Sequence, residues 1–158
     1  MATPATQEGI LRNTHLLVVD DEENLRLSLS LVCRKAGYRV SLARDAHEAL
    51  QMISLAANGP DRIDLLVVDI QMPGMSGIEL CKRLEKHHRK LPVIIISGYR
   101  YREVIKNLHS DSEIYYLEKP FQPEEFLEHV DRAIRSIRED ISSGYVRDAD
   151  VFEEGGQS

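Results

Sequence analysis

Three runs of consecutive apolar residues constrain this chain more than any other feature. Leu16-Leu17-Val18-Val19, Leu65-Leu66-Val67-Val68 and Val93-Ile94-Ile95-Ile96 contain no polar residue and are rich in β-branched side chains. A strand with one wet face alternates. A strand without alternation is buried on both faces, as in a parallel sheet covered by helices on each side. Each run ends in a polar group: Asp20-Asp21 after the first, Asp69 after the second, Ser97 after the third. Past Asp69, Pro73, Gly74 and Gly77 break the chain, so Asp69 sits where the backbone turns out of the sheet. Ligands of open α/β sheets bind at that carboxyl edge. Taken alone, Asp69 supports two readings, a functional carboxylate or a polar strand terminator.

Length and composition narrow the classes. The 158 residues allow one domain with a core of its own. Apolar residues make up 42%, ordinary for a globular chain. No apolar run approaches the roughly 20 residues of a membrane helix. Met1 to Gly9 has neither a basic start nor an apolar centre, unlike a secretory signal. The net charge of -6 argues against nucleic acid as a direct partner and favours a cation or a basic surface. Two lone cysteines, Cys33 and Cys81, are too few for a disulfide framework or a metal site, and read as free thiols in a reducing cytosol.

Along the chain, strands alternate with helices. Residues 1–13 have no periodicity and read as a flexible N-terminal arm. After the first strand, Glu22 and Glu23 open a helix where negative charge suits the amino-terminal dipole. Leu25, Leu29, Val32 and Ala36 recur on its inner face, Gly37 ends it, and Leu27 and Leu31 widen its apolar face beyond what burial requires. Tyr38 to Leu42 reads as a strand near a sheet edge. Asp45 with Glu48, and Ser76 with Glu79, form capping-box patterns before two further helices. His87 and His88 are adjacent on a helix and point apart, so they read as a solvated helix end. Tyr101, Val104, Ile105 and Leu108 recur at helical spacing. Ile114 to Leu117 is a short strand followed by Lys119-Pro120-Phe121. Pro123 opens a last helix with Phe126, Val130, Ile134, Ile137 and Ile141 on one face. Residues 140–158 read as the end of that helix and a flexible acidic tail. Five strand–helix units of this kind specify an α/β fold: a doubly wound five-stranded parallel sheet with helices on both faces and right-handed crossovers.

In such a sheet the strand ends share one edge. Asp20, Asp21, Asp69, Ser97 and Lys119 can therefore converge. Carboxylates crowded together repel each other and call for a hard divalent cation, Mg²⁺ or Mn²⁺. A lysine and a hydroxyl beside them suit a phosphoryl group. The alternative for Lys119 is a structural ion pair with the acids.

Taken in order, Asp20-Asp21, Asp69 with Met72-Pro73-Gly74-Met75-Ser76-Gly77, Ser97-Gly98 and Lys119-Pro120-Phe121 resemble the receiver domain of bacterial two-component response regulators. The resemblance spans residues 14–139 and implies the flavodoxin-like strand order 2-1-3-4-5. It implies that Asp69 accepts a phosphoryl group from a sensor histidine kinase or a histidine phosphotransfer protein. Asp20, Asp21, Asp69 and the Gln71 backbone carbonyl would hold Mg²⁺, Lys119 and Ser97 would contact phosphoryl oxygens, and Lys119–Pro120 would be cis. Gly98 would leave room for the phosphodonor, and Gln71 and Tyr99 would set the lifetime of the acyl phosphate. Ser97 and Tyr116 would form the switch, read out by a protein target or a homodimer through the fourth helix, last strand and last helix. The chain would promote only its own phosphorylation and dephosphorylation, in the cytoplasm, away from membrane and nucleic acid.

Two other readings compete with this one. A phosphohydrolase of the haloacid dehalogenase type needs a second Asp two residues after its nucleophile, and the residues at that spacing are Glu22 and Gln71. A receiver-like scaffold that docks without phosphorylation would not need the full acid set. Beyond residue 143 too little chain remains for an output domain, so the expectation is a stand-alone receiver or a piece of a longer, for example transcriptional, regulator.

Overall fold

The computed structural model describes residues 13–87, 91–106 and 113–142. Among these, five strands alternate with helices: β1 (His15–Val19), α1 (Glu23–Lys35), β2 (Arg39–Ala43), α2 (Ala46–Ala56), β3 (Leu65–Asp69), α3 (Gly77–His87), β4 (Val93–Ser97), a 3-10 turn (Tyr99–Tyr101) running into α4 (Arg102–Lys106), β5 (Ile114–Glu118) and α5 (Pro123–Ser142). The sheet is parallel throughout, in the order β2-β1-β3-β4-β5. The uninterrupted apolar runs are β1, β3 and β4, every residue of which is buried. They occupy the three central positions because only there is a strand covered on both faces.

The pleat divides the core in two. Leu17, Val19, Leu66, Val68, Val93 and Ile95 face α2 and α3 through Ala49, Ile53, Leu80 and Leu84. Leu16, Val18, Leu65, Val67, Ile94 and Ile96 face α1 and α5 through Leu29, Cys33, Phe126, Val130 and Ile134. Alternating side chains of one strand feed opposite layers.

Helix ends follow the expected chemistry. Asp45 caps α2 by accepting from Glu48 N–H at 2.8 Å, and Ser76 Oγ accepts from Glu79 N–H at 3.2 Å. Gly37 closes α1 with φ +99°, a conformation a side chain would disfavour. Pro123 is the first residue of α5.

Two expectations need correction. The second strand starts at Arg39, not Tyr38. Tyr38 is buried before the strand, and its hydroxyl donates to Asp131 of α5 at 2.5 Å, which fixes it outside the ladder. Val104 is 49% exposed although its spacing placed it inward. The segment begins as a 3-10 turn, and the change in pitch turns Val104 away while Tyr101 and Ile105 pack on the core. Leu108, residues 88–90, the Ile141 side chain, the arm but for Asn13, and the chain after Ser142 lie outside the described residues.

Candidate functional site

The carboxyl ends of β1, β3 and β4 open onto one edge, where two aspartates adopt the same local geometry. Asp69 Oδ1 accepts from the N–H of Gln71 at 2.9 Å, and Asp20 Oδ1 accepts from the N–H of Glu22 at 2.8 Å. Each carboxylate thus closes a turn on the amide two residues ahead, a habit of short acidic side chains. Each turn fixes one oxygen and leaves Oδ2 for other work. Both residues are buried, Asp20 at 2% and Asp69 at 5% exposure.

The second oxygens differ. Asp69 Oδ2 takes Lys119 Nζ at 2.6 Å. Lys119 is held in place by its own backbone N–H, which donates to Ser97 O at 2.8 Å and continues the ladder past β5; the Lys119–Pro120 peptide is cis. Asp20 Oδ2 is buried and has no hydrogen-bond partner among the described residues. The same holds for Ser97 Oγ. A buried carboxylate oxygen and a hydroxyl, both unpartnered among the described residues, thus lie at the same sheet edge as a lysine-paired carboxylate.

Electrostatics agree with the crowding. Burial, followed by repulsion from Asp69 and Asp21, outweighs the Glu22 amide and the attraction of Lys119 and pushes Asp20 up to about 6. Burial works against the charge of Lys119, but the hydrogen bond to Asp69 and the pull of Asp69, Asp20 and Glu22 win and raise it.

A sequence model of the response regulator receiver domain matches residues 16–131. The chain belongs to the response regulator receiver family. The response regulator MprA of Mycobacterium ulcerans is 36% identical over 127 residues, which are 80% of this chain and 52% of that protein. The receiver therefore spans about half the length of the curated relatives it matches. Among solved structures, the receiver domain of the Francisella response regulator 1452 is 32% identical, with a TM-score of 0.69, covering 79% of this chain and 99% of that one. A CheY-like receiver from Methanospirillum hungatei is 26% identical, with a TM-score of 0.70, covering 80% and 98%. These neighbours share the fold, with its 2-1-3-4-5 sheet.

Receivers generally bind Mg²⁺ at an acidic pocket, and the residues present here fit such an ion. The donors are all oxygen, Asp20 Oδ2 is buried without a partner, and the two buried carboxylates raise each other's cost. Magnesium is ordinarily held by only one or two carboxylates, with water completing its shell. Asp21 does not join the buried pair. It is exposed, in the bend that follows β1. Among the described residues no three carboxylate, imidazole or thiol groups gather closely enough to hold a metal by side chains alone. The structure thus brings Asp20, Asp69, Lys119 and Ser97 to one edge and leaves Asp21 at its rim.

The remaining expected residues fall around this edge. Gly98 is partly exposed, and a Cβ built there would meet nothing within 4 Å. Tyr116 is half-buried, with its hydroxyl sealed from solvent and unpartnered among the described residues. It pairs in register with Ile95, two residues before Ser97. The expectation for Tyr99 concerns a side chain outside those described.

Three residues near the site make contacts that the sequence did not show. Arg26 Nη1 donates to Asp20 O at 2.7 Å, tying α1 to the first acidic turn. Arg100 Nη2 donates to Gln71 Oε1 at 2.8 Å, joining two separate loops. Gly77 is packed so tightly that a Cβ would lie 2.7 Å from Asp69 O. No sequence pattern encodes the two arginine contacts. Gly77 stood out as a turn breaker and as part of the Met72 to Gly77 stretch, but not as a packing position.

Among the described residues, no helix is long and apolar enough to cross a membrane.

Proposed function

We propose that the chain receives a phosphoryl group on Asp69 from a phosphohistidine of a sensor kinase or phosphotransfer protein, and signals by protein contacts. The observation that carries this reading is the buried Asp69 carboxylate held by Lys119, beside an Asp20 oxygen with no partner among the described residues. Asp20, Asp21, Asp69 and the Gln71 carbonyl would hold Mg²⁺ (or Mn²⁺). When bound, the ion neutralises charge as an anionic carboxylate meets an anionic phosphoryl group. An Asp69 oxygen attacks phosphorus, the P–N bond to the donor imidazole breaks, and an acyl phosphate forms. Lys119 moves its ammonium from the carboxylate to a phosphoryl oxygen, and the Ser97 hydroxyl donates to another. Both are charge-assisted contacts on a group aligned at that edge. Water attacking in line ends the state, at a rate set by Gln71 and Tyr99.

The phosphoryl group drawing on Ser97 biases Tyr116, and through it the surface of α4, β5 and α5. Arg102 pairs with Glu118 across that surface at 2.8 Å, linking α4 to β5. New charge at one edge thereby selects between two arrangements of a distant face. A protein target or a second copy reads that face. Leu27 and Leu31 of α1 are 44% and 58% exposed and offer a contact for the donor. The receiver acts in the cytoplasm, either alone or as the input half of a longer regulator.

Incubation with Mg²⁺ and acetyl phosphate, followed by intact mass, tests the proposal. The expected result is one base-labile phosphoryl group on the wild type and none on Asp69→Ala. Equal labelling of both proteins, or no labelling of either, would sink it.

A further inference from the structure

A guanidinium is bonded to the residue two past Asp69. Arg100 sits in the 3-10 turn directly after Ser97-Gly98. Its Nη2 donates to Gln71 Oε1 at 2.8 Å, and its guanidinium lies over the Tyr101 ring, 5.2 Å from the ring centre. Tyr101 packs against the core on that face of the sheet. On the other side, the Gln71 backbone N–H holds Asp69 Oδ1. An unbroken chain therefore runs from a core-anchored ring through Arg100 and the Gln71 amide to the carboxylate.

This chain has a chemical consequence. A glutamine amide beside a phosphoryl group has one acceptor, Oε1, and two N–H donors. Only the acceptor can take a hydrogen bond from a water and so turn the water's lone pair toward phosphorus, the part a water-positioning residue plays in phosphoryl hydrolysis. Here Arg100 takes one of the two lone pairs of that oxygen and fixes the direction in which the amide points. The planar fork of arginine, resting on an aromatic face, suits it to hold one amide in one orientation.

We infer that Arg100 is a positioning residue that masks Gln71 Oε1 and so prolongs the phosphorylated state of Asp69. The inference rests on the reading of Asp69 as the phosphoacceptor. It assigns the lifetime to a pair of residues from two loops, where Gln71 alone would have left it to a free amide. Release of Arg100 frees the acceptor, and hydrolysis speeds up.

The test uses the full chain, phosphorylated with acetyl phosphate and Mg²⁺, then freed of donor and followed by intact mass. Arg100→Ala should hydrolyse about 3- to 10-fold faster than wild type, the range for losing one charge-assisted contact at an exposed site. Arg100→Lys should stay within about twofold of wild type, since an ammonium also donates to Oε1. In a Gln71→Ala background, Arg100→Ala should change nothing further, because the masked group is gone. All variants should melt with the wild type, since both side chains are exposed. An Arg100→Ala rate equal to or below wild type overturns the inference, as does the same acceleration with Gln71→Ala already present. Failure of the wild type to take phosphate at Asp69 overturns the underlying reading as well, and is seen before any decay is measured.

Discussion

Replacing Asp20 by asparagine should stabilise this protein at alkaline pH while abolishing its phosphorylation. A carboxyl that ordinarily titrates at 3.8 titrates here at about 6, chiefly because it is buried. Between those values the folded chain holds a proton that the unfolded chain has released. Asp20 therefore favours folding at low pH, and that advantage is lost as pH rises through 6. At about 1.4 kcal/mol per pH unit, the gap amounts to roughly 3 kcal/mol, of which about 2 falls between pH 4 and pH 8. The Asp20→Asn variant does not titrate. Its amide oxygen keeps the Glu22 N–H bond, and its NH₂ takes the place of Oδ2, which has no donor partner among the described residues. Whatever the amide changes in hydrogen bonding is the same at every pH in this range, so it cancels from the pH dependence. Urea unfolding of both proteins, in EDTA, at about pH 4 and about pH 8 isolates the effect, with an expected shift of about 2 kcal/mol toward the variant on going to the higher pH. A stability difference that does not move with pH, or that moves toward the wild type as pH rises, would refute the reasoning. Loss of Mg²⁺-dependent labelling by the same variant would show that the site keeps a costly charge for its chemistry.

Three further outcomes follow from the same structure. Gly77→Ala places a methyl carbon 2.7 Å from the Asp69 carbonyl and should cost about 1–3 kcal/mol in urea unfolding and slow labelling of Asp69. Gly98→Ala, which meets nothing within 4 Å, should stay within about 0.5 kcal/mol, and equal costs at the two glycines would contradict the packing. Leu27→Asp and Leu31→Asp, at exposed positions, should leave stability within about 0.5 kcal/mol but weaken phosphoryl transfer from the cognate kinase. Unaltered transfer would remove α1 as a docking face. Burial pushes the Cys33 and Cys81 thiols up to about 12, so an aromatic disulfide reagent at neutral pH should label neither in the native state and both in urea. Rapid native labelling would place a thiol at the surface.

The sheet was legible because three of its strands are buried on both faces, and nothing but a central parallel strand accounts for four apolar residues in a row. The acids at their ends were legible for the same reason, since a strand that stays dry must place its first polar residue where it emerges. The Asp45 and Ser76 caps were legible as local hydrogen bonds between residues three apart. Tyr38 was misplaced because its fate depends on Asp131, far along the chain. Val104 was misplaced because apolar spacing assumes an α-helical pitch that a 3-10 turn does not keep. Asp20 and Asp21 are chemically alike in sequence, and only the path of the chain as it leaves β1 separates the buried acid from the exposed one. Arg26 bonds back to a turn and Arg100 bridges two loops, so the residues that hold the site in shape were the least legible part of it.

The two-layered core has a spatial corollary. Val93 and Ile95 of β4, and Ile114 of β5, belong to the layer shared with α2 and α3, so by alternation Ser97 and Tyr116 address that side of the sheet. Helix α1, with Leu27 and Leu31 along its outer surface, belongs to the opposite layer. The readout face proposed for α4, β5 and α5 therefore straddles the sheet edge, with α4 on the layer of Ser97 and Tyr116 and α5 on the layer of α1. A donor seated on α1 and a listener reaching α5 would share one flank, so the two visits would follow one another.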